Sequence, residues 1–81
     1  MEYDYIDPVE TNDHIVIRKE PSTDSEVVTE VSAGVRMIAA SAVPGGTYYD
    51  CGGGSEWLPV AYDLSGTTLH GFAAKGCLRN V

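Results

Sequence analysis

The residues with the most distinctive chemistry are two cysteines and a set of aromatic rings. Cys51 and Cys77 are the only thiols among 81 residues. Two thiols in a small, loop-rich chain fit one disulfide formed in an oxidising compartment. The alternative is two separate buried thiols in a cytosolic protein. A bond between them would contribute roughly 3.5 kcal/mol in the chain-entropy model, a large share of a small domain's stability. His14 and His70 raise two other uses for the cysteines, as metal ligands or as a Cys–His nucleophile pair. Zinc motifs need closely spaced ligands, and the chain has no C-x-x-C and no H-x-x-x-H. Nucleophilic catalysis needs an orienting acid and a cleft, and a domain this small has little cleft. The reading is therefore of a protein with no metal, no cofactor and no catalytic residue.

Tyr48, Tyr49 and Trp57 are the candidate binding residues. Tyrosine and tryptophan offer large, rigid, amphipathic contact area. Trp57 has the opposite parity to Leu58, Val60 and Tyr62, so on a strand it faces away from them. That makes Tyr62, on the buried face, a poorer candidate. Tyr48 and Tyr49 fall in a glycine-rich stretch where burial is less expected. Two arrangements fit: an exposed aromatic face, or Trp57 covering one end of the fold with Tyr48 packed over it. The run Gly52-Gly53-Gly54 lacks the G-K-[S/T] ending of a phosphate loop and reads as a flexible loop beside Cys51.

The elements that must position these residues read as strands. Apolar residues make up 43% of the chain and charged residues 21%, which excludes a disordered chain by bulk composition. No apolar run is long enough to span a membrane. β-Branched residues alternate with Gly, Pro and Ser clusters, and no window holds a helical period. Five strands are expected, near His14–Arg18, Val27–Val31, Val35–Val43, Glu56–Tyr62 and Thr67–Ala73. Turns fall at Lys19–Glu26 and Asp63–Gly66, with a longer glycine-rich loop at Pro44–Ser55. Pro59 cannot donate to a ladder and marks an edge or a bulge. The tail, Lys75–Val81, opens with a single helical turn and adds a short final strand. Residues 1–13 hold five acids and no base and read as an acidic N-terminal arm. It is either solvated or anchored through Tyr3, Tyr5 and Ile6. Residues 14–81 form the single domain.

From His14 to Leu78 the chain resembles the bacterial SH3-like domain family. Val16-Ile17-Arg18, Pro21-Ser22, Ser25 and Val27-Val28 are similar to the family's opening, and Val31 and Gly34 to its first turn. Val35, Met37 and Ile38 continue into the next strand. Trp57 with Val60, then Gly71-Phe72-Ala73 and Leu78, follow in the family's order. The resemblance implies an all-β fold, a small five- to six-stranded antiparallel SH3-like barrel, without intrinsic catalysis. Three features depart from the family pattern: the extended Pro44–Ser55 segment, Cys77 in place of a tyrosine, and the acidic arm. The second makes sense if Cys77 pairs with Cys51. Arg18 either caps turn carbonyls or pairs with an acid such as Asp24.

Five Lys and Arg against twelve Asp and Glu give a net charge of −7. Phosphate binding needs cationic contacts, so nucleic acid is not an expected partner. Anionic lipid is disfavoured for the same reason. The expected function is a non-catalytic binding module of an exported bacterial protein, taking a peptide or a cell-wall component on its aromatic face. The alternative is a small secreted interaction or inhibitor protein acting on a basic partner. The disulfide reading makes the protein extracellular, with a signal peptide already removed. Free cysteines would make it cytoplasmic.

Overall fold

The computed structural model describes residues 3–81. Its strands are β1 (Asp7–Thr11), β2 (Ile15–Arg18), β3 (Val27–Val31), β4 (Arg36–Ala39), β5 (Val43–Tyr48), β6 (Gly54–Leu64), β7 (Thr67–Ala74) and β8 (Leu78–Asn80). Two 3-10 turns interrupt them, η1 at Asp50–Gly52 and η2 at Lys75–Cys77. All pairings are antiparallel, in the order β3-β2-β7-β6-β4-β1-β8, with β5 paired to β6 off this path.

This corrects the expectation of a five- to six-stranded SH3-like barrel. The sheet has eight strands and does not close, because the terminal strands β3 and β8 do not pair with each other. Two of the additional strands come from segments read as arm and loop. β1 forms where the acidic arm was placed, and β5 forms inside the glycine-rich stretch. The expected third strand, Val35–Val43, ends at Ala39, and Val43 begins β5 instead.

One core serves the whole sheet. Val31 of β3 and Leu78 of β8, at opposite ends of the path, belong to the same buried cluster as Ile17, Ala39, Val60 and Ala73. Seven strands laid flat would separate the outermost two by about 29 Å at the usual ~4.8 Å spacing. The sheet therefore bends over its own inner face, with no hydrogen bonds joining its ends.

The acidic arm is docked, and from Asp7 onward it is a strand of the sheet. Val9 and Thr11 are buried on the inward parity of β1. Thr11 ties down the β3–β4 turn: its hydroxyl donates to the Ser32 carbonyl at 2.7 Å and accepts from the Val35 amide at 2.9 Å. Tyr3 packs edge-on to Phe72 at 5.8 Å and Tyr5 lies 5.3 Å from the His70 ring. Burial pushes the Tyr5 hydroxyl above its ordinary pKa, and Tyr3 adds to the shift.

β6 is long enough to serve two partners in succession on one side. Val43 and Pro44 of β5 pair with Trp57 and Glu56, and Ile38 and Ala39 of β4 pair with Ala61 and Val60. Pro59 sits at the handover. It lies in a central strand, not at an edge, and its carbonyl accepts from the Ala40 amide at 2.9 Å. A residue's N–H and C=O point to the same side in an antiparallel strand. The N–H that proline lacks would face residues 40–42, where the chain has left β4 and not yet entered β5, so no ladder bond is lost.

Candidate functional site

β2 and β7 share a single register pair, Arg18 with Phe72, whereas β6 and β7 pair over eight positions from Leu64↔Thr67 to Trp57↔Ala74. Gly71 explains where the contact is made. A Cβ there would lie 2.5 Å from Ile17 Cγ2 and 2.6 Å from the Arg18 carbonyl oxygen, so β2 approaches β7 closely only because this residue has no side chain. Continued register would set Val16 opposite Ala74. The strands part instead, and both residues line a cleft with a volume of about 160 Å³.

Tyr48 and Trp57 form the inner wall of this cleft, and Asp50 and Arg18 also line it. Trp57 is only 2% exposed and Tyr48 4%. Their rings meet edge-to-face, 5.4 Å apart at 80°. Trp57 Nε1 donates to the Gly46 carbonyl at 2.8 Å, and the Gly46 amide donates to the Pro21 carbonyl at 2.9 Å. The indole is thus locked to the β2–β3 turn through β5. Parity placed Trp57 away from Leu58 and Val60, and it does lie on the other face of β6 from Val60. It is buried there, together with Pro59. Of the two arrangements open from the sequence, the structure has the second: Tyr48 and Trp57 make a satellite core. Tyr49 is separated from them and 87% exposed, so the three rings do not form one face. Tyr62 is half-buried against the main core.

Cys51 and Cys77 are bonded, with their Cα atoms 5.2 Å apart. The bond joins η1 to η2 beside the cleft, and Cys77 lines it. The Gly76 amide also donates to the Tyr48 hydroxyl at 3.0 Å. Arg18 takes the first of its two expected roles: Nη1 donates to the Ser25 carbonyl at 2.8 Å and closes the β2–β3 turn.

Neither histidine joins the disulfide in a ligand set. His14 Nε2 lies 3.1 Å from Glu30 Oε1, and His70 packs on Tyr5. No group of three or more His, Cys, Asp or Glu among the described residues is placed to hold a metal ion. No helix among them is long and apolar enough to cross a membrane. Three carboxylates have a Lys or Arg partner, Glu10 with Arg79, Glu26 with Lys19 and Glu56 with Lys75, and Glu30 contacts His14. Asp4, Asp7, Asp13, Glu20, Asp24, Asp50 and Asp63 have none among the described residues, so the surplus is negative and includes a residue of the cleft. Compared with known proteins, the chain matches no family model, no curated protein and no solved structure.

Sequence reasoning missed the cleft because it arises from two strands parting after one pair. Only Gly71, next to the β7 residue that pairs with Arg18, hinted at a close crossing.

Proposed function

We propose that this protein is a non-catalytic binding module of an exported protein, and that its cleft receives side chains of an extended, cationic or neutral peptide. The observation that carries this reading is the parting of β2 and β7 beside the rigid Tyr48–Trp57 pair. Small-molecule pockets usually enclose ~300–1,000 Å³, and this cleft holds about 160 Å³. That suits one or two inserted side chains rather than a cofactor. A glycan would need a flat, open ring to lie on, and Trp57 offers almost no exposed face. A peptide is therefore favoured over the sugar part of a cell wall. At the cleft Asp50 is offset by Arg18, so it is the net charge of −7 and the unpaired acids elsewhere that favour a cationic partner, through long-range steering. A disulfide agrees with an oxidising, extracellular location.

Trp57 is the chain's only tryptophan, so its emission reports on the cleft directly. An alternating lysine–valine peptide should shift that emission saturably, and an alternating glutamate–valine peptide should not. Sedimentation with insoluble peptidoglycan separates a cell-wall ligand from a free peptide. Equal responses to both peptides, or none to either, would sink the cationic-peptide reading.

The second reading, a secreted partner of a basic protein, rests on Tyr49. A ring 87% exposed beside Asp50 is a contact for a surface rather than for a cleft. Tyr49→Ala separates the two: it weakens binding to a protein surface and leaves the Trp57 response to a peptide intact.

A further inference from the structure

We propose that the Cys51–Cys77 bond is a redox latch on the cleft, opened by a dithiol reductant without unfolding of the sheet. The inference rests on the cleft reading above and assigns that site a means of regulation. Three observations carry it.

The first is access. Cys51 is exposed and Cys77 is 3% exposed, so an incoming thiolate meets Cys51. The second is what holds η1 in place. η1 contributes no buried residue, and Cys51 itself has a φ of 55°, a left-handed conformation that is unfavourable for a residue with a Cβ. η1 is the tip of the β5–β6 hairpin: Tyr48 and Gly54 pair at its base, and the Gly53 amide donates to the Asp50 carbonyl within it at 2.9 Å. Across to η2, the hydrogen bond beside the covalent one runs from the Gly76 amide to Tyr48, at the hairpin's base. Without the covalent bond the base of the hairpin stays paired, and the tip at residues 49–53 is what can relax from the strained conformation at Cys51. The third is position. Tyr48, Asp50 and Cys77 all line the cleft, so releasing η1 changes one wall of it. Apart from Cys77 and the terminal Trp57↔Ala74 pair, which line the cleft, the β6–β7 ladder and the core cluster lie outside the latch.

The chemistry balances. A thiolate of the dithiol attacks Cys51 Sγ, the Sγ–Sγ bond breaks, and Cys77 leaves as a thiolate and takes up a proton. The second thiol of the reductant, once deprotonated, attacks its own sulfur in the mixed disulfide. Cys51 is released as a thiolate and is protonated in turn. Two electrons pass to the protein, and the reductant leaves as a cyclic disulfide.

The test uses the intact protein and dithiothreitol, with alkylation to count thiols and amide exchange to locate opening. The latch predicts that both thiols become alkylated under native conditions. Exchange should then accelerate at least about tenfold at Gly76 and across residues 49–53 while the β6–β7 amides stay protected. Trp57 emission should move to longer wavelength as its wall opens, and the lysine–valine peptide should bind the reduced form more weakly. Thiols that become reactive only when the β6–β7 protection is lost would overturn the proposal and make the bond a staple. So would a reduced protein in which Gly76 stays as protected as before, or one that binds the peptide as tightly as the oxidised form. The doubly substituted Cys51→Ser, Cys77→Ser protein should reproduce the open form without reductant. If it does not fold, the reduction of the parent chain still decides. A latch that opens by exchange and emission while neither form binds peptide upholds the latch and refutes the peptide reading alone.

Discussion

The Gly76 amide donates to the Tyr48 hydroxyl, joining residues separated by 28 positions of chain. The bond does two things. It satisfies a backbone donor at η2, where the chain leaves β7 for β8, and it fixes the ring that packs edge-on to Trp57. The same ring ends β5, and the same η2 carries Cys77. The geometry of the cleft therefore depends on one phenol whose polar tip and apolar body are both used.

Tyr48→Phe should separate those two uses. It keeps the edge-to-face contact and removes the acceptor for Gly76. Gly76 is exposed, so water can take over its amide, and the loss should be the net worth of one hydrogen bond, about 0.5–1.5 kcal/mol. Tyr48→Ala also removes the ring and should cost about 3–5 kcal/mol, as large-to-small changes of core aromatics do. Urea denaturation of both variants checks the order. Equal losses would show that the hydroxyl contributes nothing beyond the ring.

Gly71→Ala tests the crossing that creates the cleft. The added carbon would meet both a side chain and a backbone carbonyl at distances no real Cβ contact shows, and the carbonyl cannot move aside cheaply. A loss of about 1–3 kcal/mol is expected, in the range of overpacking in cores. The Arg18↔Phe72 pair should also loosen, read as faster amide exchange in β2. Stability within error of the parent would mean that the two strands do not cross so closely.

The strand pattern was largely legible, and what was not has physical causes. Val27–Val31 and the tail's turn followed by a strand are where alternation and turn residues put them. At the β6–β7 hairpin the strands run to Leu64 and resume at Thr67, with Ser65 and Gly66 both at positive φ. That is the two-residue turn that matches strand twist. β1 was obscured because five carboxylates and Pro8 outweighed a short alternation, Val9 and Thr11, whose burial depends on partners far along the chain. β5 was obscured by its glycines. Gly45 is required because a Cβ there would lie 2.3 Å from the Pro21 carbonyl oxygen and 2.6 Å from Trp57 Cδ1. Glycine there marks close packing, not a loose loop. Closure was misjudged because resemblance of motifs speaks to local turns and alternation. Whether β3 meets β8 is decided by sheet bending, which no short motif encodes.

Thr11→Val should remove the two hydroxyl ties to the β3–β4 turn while keeping the shape of the side chain and the two backbone bonds, Thr11 N–H to the Val35 carbonyl and Gly34 N–H to the Thr11 carbonyl. The Val35 amide loses its side-chain acceptor in a part-buried position. A cost of about 1–3 kcal/mol follows from an unmet buried donor. Thr11→Ser keeps both hydrogen bonds and should retain more of the stability. Hydrogen exchange at Val35 distinguishes the two variants, and equal exchange rates would refute the role assigned to the hydroxyl.

Glu10 and Arg79 give a pH dependence with a definite sign. Arg79 donates to Glu10 Oε1 through Nη2 at 2.6 Å and Nε at 3.2 Å. That hydrogen bonding holds the Glu10 carboxyl below its ordinary pKa, with the charges of Arg79 and Arg36 adding to the effect against some desolvation. A group whose folded pKa is depressed binds fewer protons in the folded state. Its contribution to stability is fully present above the unfolded value, near the ordinary glutamate pKa, and is lost as pH falls through the lower folded value. Glu10→Gln should therefore be less stable than the parent at neutral pH and approach it at low pH. Thermal unfolding across that range measures the convergence. A constant gap between the two curves would mean that Glu10 acts through packing alone.

Truncation at two points separates the parts of the N-terminal segment. Removing residues 1–6 takes away Tyr3 and Tyr5, whose contacts with Phe72 and His70 lie on half-buried or exposed partners. Aromatic pairs contribute about 0.5–1.5 kcal/mol each beyond area burial, so the shortened chain should remain folded with a modest loss. Removing residues 1–11 is a different matter. β1 pairs with β4 on one side and β8 on the other, and β8 has no other strand partner. Without β1, the final strand has nothing to pair with, Leu78 loses its cover, and the hydroxyl that ties the β3–β4 turn is gone. Marginal domains of this size have little stability to spare. The longer truncation should therefore show no cooperative thermal transition even with the disulfide formed, and the shorter one should keep it. A folded protein lacking all eleven residues would show that β1 is an appendage and that β8 stays in place through Cys77 alone.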